Sequence, residues 1–258
     1  IHLFRADEQE AIRAFGWTGE WPAVDGFDQL AVIGANLAGQ KSDAAVKESV
    51  IQNVQIDEQG FIQTDLTLHR EHTSSRGQQF YGANNVQYVR LYTPAGSELL
   101  SGSGFQAPSS SLFDVAASGT TAFPGLSFSE KSITLEGQKV DLLPDGGRQV
   151  FGGWIQLRPG ATADMSMRYK LTKSTADMAQ SLSSDILTDG ATISDAYVVH
   201  LISQSGANRA QHINISYPAT WKVIKIGEGM KVVSPGVIEG DIEVLNQDKL
   251  RYVLFNRG

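Results

Sequence analysis

Short runs of alternating apolar and polar residues dominate this chain. Val46, Val50, Val54 and Ile56 share one parity, DEQG follows as a turn, and Ile62, Thr64, Leu66 and Leu68 alternate again. Two such runs around a glycine-containing turn predict an antiparallel hairpin. A helix over Asp43 to Ile51 competes with the first arm, because Val46 and Val50 also fit the helical period. Further strands are predicted at LAVI, VQYVRLY (86–92), SITLE, QKVDLL, VFGGWIQL and ADMSMRYKL. In the last, Ala163, Met165, Met167, Tyr169 and Leu171 alternate, so the methionines belong to a half-buried strand and not to a metal-binding stripe. AYVVHLIS, QHINISYP, WKVIKI, GVIEGDIEVL and LRYVLFN continue the pattern between Gly, Asn, Asp and Pro breaks.

Two segments carry the helical period. Residues 7–15 place acidic Asp7 and Glu8 ahead of Ala11, Ile12 and Phe15, which predicts a short amphipathic N-terminal helix. Thr175 to Leu187 places Met178, Leu182 and Ile186 at four-residue steps, which predicts a helical connector. Between the strands, residues 100–129 are rich in Ser, Gly and Ala with isolated Phe105, Phe113, Phe123 and Phe128. A stretch of that length is expected to be a surface excursion pinned by its phenylalanines, with a flap as the alternative. The sequence thus predicts an all-β fold of two β-sandwich-like units. The expected layout is 1–172 as helix plus larger sandwich, 173–195 as connector, and 196–258 as a smaller sandwich or sheet completing the fold.

Composition narrows the function. Of 258 residues, 41% are hydrophobic, enough for a substantial core. The net charge of -7 argues against nucleic acid and against an anionic membrane surface as partners, and the lack of cysteine removes disulfides, thiolate nucleophiles and cysteine-ligated zinc. The chain starts at Ile1 with no basic-then-apolar leader and is read as an excised piece of a longer protein.

GANLAGQKS, Gly34 to Ser42, follows a strand and imitates a phosphate loop, but Gln40 stands where the lysine must follow the second glycine. The next residues, AAVKESVIQNV, do not make a convincing helix, so a nucleotide site is not expected. His69-Arg70-Glu71-His72 lacks the HExxH order, and at a strand end His69 and His72 would face opposite sides, so the cluster reads as a surface turn and no metal is expected. Neither a GxSxG elbow nor an SxxK pair is present, and no spacing selects two carboxylates as glycosidase partners. Trp17, Trp21, Trp154 and Trp221 offer stacking surfaces for sugars, though aromatics more often serve the core. Trp17 and Trp21, in a Gly- and Pro-containing turn, are the expected exposed pair.

Taken in order, FRADEQEAIRAFGWTGEW, LAVIGANLAGQKSD, a strand pair around DEQGF, YVRLYTPAGSELLSGSGF, VFGGWIQLRPGATADMSMRYKL and HLISQSGANRAQHINISYP form a larger pattern. It resembles the C-terminal extracellular region of a bacterial membrane-anchored family, domain of unknown function four thousand and twelve. The resemblance implies an upstream transmembrane helix, a further extracytoplasmic domain and a cell-surface location. Asn36 and Lys41 match the family's Asn-Leu-Gly-Gly-x-Lys type of turn, so Gly34 to Ser42 is expected to be such a turn. The family carries no assigned activity, so no catalytic residue is implied.

The expectation is therefore a non-catalytic extracytoplasmic module that binds or organises cell-envelope components, with no cofactor and no direct membrane contact of its own. A carbohydrate-binding or carbohydrate-processing module acting on wall glycans is the alternative. Expected partners are a cell-wall glycan or surface protein and the upstream domain of the same parent chain. Trp17, Trp21, Asn36 and Lys41 are the ligand-binding candidates.

Overall fold

The computed structural model describes residues 3–15, 19–21, 26–37, 40–114, 117–121, 131–135, 137–187 and 190–257. Its strands, in chain order, are β1 (Asp28–Asn36), β2 (Val46–Ile56), β3 (Ile62–His72), β4 (Asn85–Pro94), β5 (Glu98–Ser103), β6 (Lys131–Leu135), β7 (Gln138–Asp145) and β8 (Arg148–Leu157). They continue with β9 (Thr162–Lys170), β10 (Asp195–Ile202), β11 (Arg209–Ser216), β12 (Lys222–Ile226), β13 (Met230–Ser234), β14 (Val237–Ile242) and β15 (Lys249–Asn256). An eight-stranded sheet has the order β12-β15-β10-β1-β4-β8-β7-β6, and a seven-stranded sheet the order β13-β14-β11-β2-β3-β9-β5.

The fold is all-β, and each half of the chain contributes to both layers. Strands β1 to β9 form one sandwich-like unit and β10 to β15 another. The units are joined edge to edge inside both sheets, by β1 pairing parallel with β10 and β2 pairing parallel with β11. Every other strand pair described is antiparallel. Inward parity supplies one continuous core, with Leu30, Leu66, Leu91, Met165 and Met167 in the first unit and Ile213, Ile238 and Phe255 in the second.

Parallel pairing has a geometric consequence. Each unit opens with a strand of the larger sheet followed by a strand of the smaller one, β1 to β2 and β10 to β11. Because both pairs are parallel, the two crossover segments, 37–45 and 203–208, emerge side by side at the same end of the sandwich. The parallel backbone pairing of β1 with β10 runs as far as Ala31 opposite Ile202. Beyond it the Gln204 side chain takes over, its Oε1 accepting from Gly34 N and its Nε2 donating to Gly34 O, both at 2.8 Å.

Several sequence expectations meet their outcome here. The predicted hairpin is the antiparallel β2–β3 pair, Val46 opposite His72 through Ile56 opposite Ile62. The competing helix is confined to one 3-10 turn at Ser42–Ala45. His69 to His72 is not a surface turn but the last part of β3, with His69 half-buried beside Asp164 and His72 buried against the Ala83 carbonyl. The N-terminal helix α1 (Ala6–Ala14) exists but buries none of its residues. Among its described residues the connector is helical only over α2 (Thr175–Gln180), where Ser174 and Asp177 form a reciprocal capping box. α2 ends where Ser181, Ser183 and Ser184 interrupt the helix formers, while Met178 and Ile186 still reach the core. The excursion begins as β5, and Phe105 packs on the core while Phe113 meets Trp154 edge-on at 5.4 Å. Phe123 and Phe128 lie outside the described residues.

Because both sheets run through both units, the fold is expected to open as one cooperative block. Native-state hydrogen exchange under rising urea should bring amides of β3 and β15 onto one common opening isotherm. A separate, earlier isotherm for β15 would show that the seams do not couple the units.

Candidate functional site

The site lies where the two crossovers meet. Glu48 on β2 pairs in register with Arg70 on β3 and, on its other side, with Arg209 on β11. All three side chains occupy inward parity, so a carboxylate sits between two guanidiniums across three adjacent strands. Arg70 Nε donates to Glu48 Oε1 at 2.7 Å, and Arg209 Nη2 and Nε donate to Oε2 at 2.6 and 3.1 Å. The Arg70 side chain is 0% exposed, that of Arg209 5% and that of Glu48 11%, so this row belongs to the interior. Burial pushes the Glu48 carboxyl up, but the charges of Arg209 and Arg70 and their hydrogen bonds outweigh it and hold the group below its ordinary value. Glu48 therefore stays ionised with both oxygens engaged, which suits a structural counter-ion and not a proton shuttle.

The row is braced outward. Arg209 Nη1 donates to Val32 O at 2.6 Å, tying the smaller sheet to β1 of the larger. Arg70 Nη2 donates to Asn85 Oδ1 at 2.8 Å, and Asn85 Nδ2 donates in turn to Asp43 Oδ1 at 2.6 Å and Ser42 Oγ at 3.0 Å. Asn36 Nδ2 reaches the same Ser42 hydroxyl at 3.5 Å and the Gln40 carbonyl at 3.3 Å. Gln40 has φ of 53°, the left-handed region, so this crossover is held in a strained turn by side-chain bonds.

These groups enclose a cavity of about 300 Å³ between the sheets, lined by Gly34, Glu48, Arg70, Gln87, Gln204 and Arg209, with Asp43 on its rim. Two of the lining residues carry a buried side-chain atom without a hydrogen-bond partner among the described residues, Arg70 Nη1 and the Gln87 amide oxygen. Gly34 makes room for that amide, since a Cβ there would stand 2.2 Å from Gln87 Nε2.

A second polar line runs inside the sandwich from the neighbouring inward position of β11. Gln211 Nε2 donates to Gln52 Oε1 at 3.2 Å, Gln52 Nε2 to the Tyr197 hydroxyl at 3.2 Å, and Tyr197 to Asp28 Oδ2 at 2.7 Å. Full burial raises the Asp28 carboxyl to about 6, against the lowering effect of the bonds from Tyr197 and the Gln29 amide.

The sequence-predicted site residues fall elsewhere. Asn36 braces the crossover that forms the pocket wall. Lys41 is exposed, its Nζ 5.7 Å from the centre of the Phe80 ring. Trp21 is half-buried on the outer face of the larger sheet, edge-on to Tyr92 at 4.7 Å and covered by the Arg148 guanidinium at 4.9 Å. These contacts lie on the side of the sheet away from the pocket. Trp17 lies outside the described residues. Gly34 to Ser42 leads from a strand into a 3-10 turn and another strand, without the helix that a phosphate loop feeds. Among the described residues no group of three or more His, Cys, Asp or Glu side chains is placed to hold a metal ion.

Glu48, Arg70, Arg209 and Gln87 were not singled out from sequence. A signal was available, because Glu48 shares the parity of Val50 and Val54, Arg70 that of Leu66 and Leu68, and Arg209 that of Ile213 and Ile215. A charge on the apolar parity of a strand must find a partner or a ligand inside.

No protein-family model matches the chain, and no curated protein matches it in sequence. Among solved structures it overlays on a candidate nutrient-binding protein from Legionella pneumophila at 11% identity and a TM-score of 0.42, over 87% of this chain and 72% of that one. It also overlays on an M1 zinc metallopeptidase from Deinococcus radiodurans at 10% identity and a TM-score of 0.32, over 84% of this chain and 42% of the peptidase. The chain thus spans less than half the length of that peptidase chain.

Two predictions follow from the buried charges. Glu48→Gln leaves two buried guanidiniums facing one neutral amide and should cost about 3–5 kcal/mol in urea unfolding at pH 7. Because the Glu48 value is depressed on folding, its contribution is present above the ordinary carboxylate range and lost as pH falls below it, so the gap between parent and variant should close in acid. A variant as stable as the parent at pH 7 would show that the row is not holding the seam. Asp28 has the opposite sign. Its value rises from 3.8 to about 6, so its contribution is present below 3.8 and lost as pH rises through 6. Asp28→Asn should match the parent at pH 4 and exceed it at pH 7.5 by roughly 1–3 kcal/mol. Equal losses in both proteins between those pH values would exclude Asp28 as the source.

Proposed function

We propose that this chain is a non-catalytic extracytoplasmic module that binds or organises components of a bacterial cell envelope, using the seam pocket as its ligand site. The observation that carries the reading is the pocket itself, a concave polar site whose lining residues Arg70 and Gln87 each carry a buried polar atom without a partner among the described residues. The side chains around it are fixed by strand register and by bonds to both crossovers, so the site is preorganised for binding. Its ionisable centre favours binding over chemistry, since Glu48 has both oxygens committed to arginines. The envelope location and an anchoring segment upstream rest on the family resemblance of the ordered sequence runs.

Co-sedimentation with purified bacterial cell walls tests this directly. The folded fragment should pellet saturably with walls, beyond an unrelated β-sandwich of equal charge, and should release no soluble wall fragments on long incubation. Pelleting no better than the control would remove the envelope reading. Steady release of fragments would make the module an enzyme instead.

A further inference from the structure

We infer that the seam pocket binds a neutral, hydroxyl-rich ligand the size of a single sugar residue, held by Arg70 Nη1 and the amide of Gln87. This deepens the binding-module reading and rests on it only for where the ligand would come from.

Three observations select that ligand class. The first is hydrogen-bonding demand. Arg70 Nη1 is a donor on a fully buried guanidinium, and the Gln87 amide oxygen is an acceptor; both are buried and neither has a partner among the described residues. Leaving a buried polar atom unpaired costs about 1–3 kcal/mol, so two at one cavity mark where a ligand's groups belong. Hydroxyls donate and accept at once, and the Gln87 amide can offer either of its ends, so adjacent ring hydroxyls can satisfy both residues.

The second is charge. Arg70 and Arg209 are balanced by Glu48 and Asp43 at the same cavity. Both Glu48 oxygens already accept from the arginines, and Asp43 Oδ1 already accepts from Asn85. An anion would meet two carboxylates and a cation two guanidiniums, whereas a neutral polar ligand meets no net repulsion.

The third is shape. The cavity of about 300 Å³ holds the equivalent of roughly ten water molecules, which suits one pyranose ring, free or at the end of a chain. Gly34 is part of that shape, because any side chain there would collide with the Gln87 amide. The residue that gave the Gly34 to Ser42 segment its phosphate-loop look thus serves to seat an amide in the pocket wall.

Isothermal titration and saturation-transfer NMR on the 258-residue protein test the inference. The neutral probes are methyl glucoside and N-acetylglucosamine, and the anionic probe is glucuronate. The expected result is saturable binding of a neutral sugar that weakens about tenfold in Gln87→Met and in Gly34→Ala, the latter displacing the amide without removing any polar group. Both substitutions leave the Arg70–Glu48–Arg209 row intact, and an unchanged urea midpoint confirms that each variant is folded. Arg70→Lys, which keeps the charge but lacks Nη1, should lose binding as well where it folds. Binding of glucuronate alone, sugar binding that survives in Gln87→Met and Gly34→Ala, or no neutral-sugar binding at tens of millimolar would each overturn the inference. Wall pelleting that Gln87→Met and Gly34→Ala leave untouched would sink the pocket and spare the module reading. Sugar binding without wall pelleting would spare the pocket and sink the envelope location.

Discussion

One carboxylate between two guanidiniums sets the terms for the rest of this fold. Glu48 faces Arg70 across an antiparallel pair and Arg209 across a parallel one, so its position is meaningful only when three strands from two halves of the chain share one register. A slip of one residue along β11 would turn Arg209 outward and leave Glu48 with half its partners. Replacing such a row by apolar side chains is often neutral for stability, whereas leaving any member unpaired is costly. The row therefore contributes more to choosing among alternative pairings than to the depth of the folded state. Parallel pairing needs that choice, since β2 and β11 are joined by no hairpin turn and come together from distant parts of the chain.

Topology then explains where the pocket is. When two sandwich-like units join by parallel strands in both layers, their crossovers must lie next to each other at one end, and two short loops cannot close over a gap that strands no longer fill. Here side chains do part of what a strand would. Gln204 carries two backbone-like hydrogen bonds to Gly34, and Arg209 satisfies the Val32 carbonyl. The space left is polar because the seam behind it is polar. From Gln211 through Gln52 and Tyr197 to Asp28, a hydrogen-bonded line runs along the joint within the apolar core that the two units share. Buried Asp28, raised to about 6, shows the electrostatic tension in that choice.

The strands were legible because period two is a local signal, as in Val46 to Ile56 and Ala163 to Leu171. The seam was not, because nothing in the runs LAVI and AYVVHLIS says that they lie parallel and adjacent. HREH was misread for a related reason. Four polar or charged residues in a row look like a turn, whereas two of them, Arg70 and His72, continue the inward parity of Leu66 and Leu68. In the connector, the four-residue spacing of Met178, Leu182 and Ile186 marked burial correctly, but spacing does not measure helix length. The Ser174 box starts α2, and the serines after Gln180 end it within two turns.

The Gly34 to Ser42 segment shows how a sequence motif and its physical cause can part. Glycine, asparagine and a nearby lysine after a strand suggest anion capture, yet the backbone here leads to a 3-10 turn, Lys41 lies over Phe80, and Asn36 braces the loop. Gly34 is small because Gln87 crosses above it, and Ser42 is buried because Asn85 and Asn36 both converge on its hydroxyl. Each of those residues answers to a partner 40 or more positions away or to the geometry of the crossover, not to its neighbours in the motif. That is why the segment imitates a binding loop in sequence while the two side-chain atoms left without a partner among the described residues at the site, Arg70 Nη1 and the Gln87 amide oxygen, come from strands that carry no motif at all.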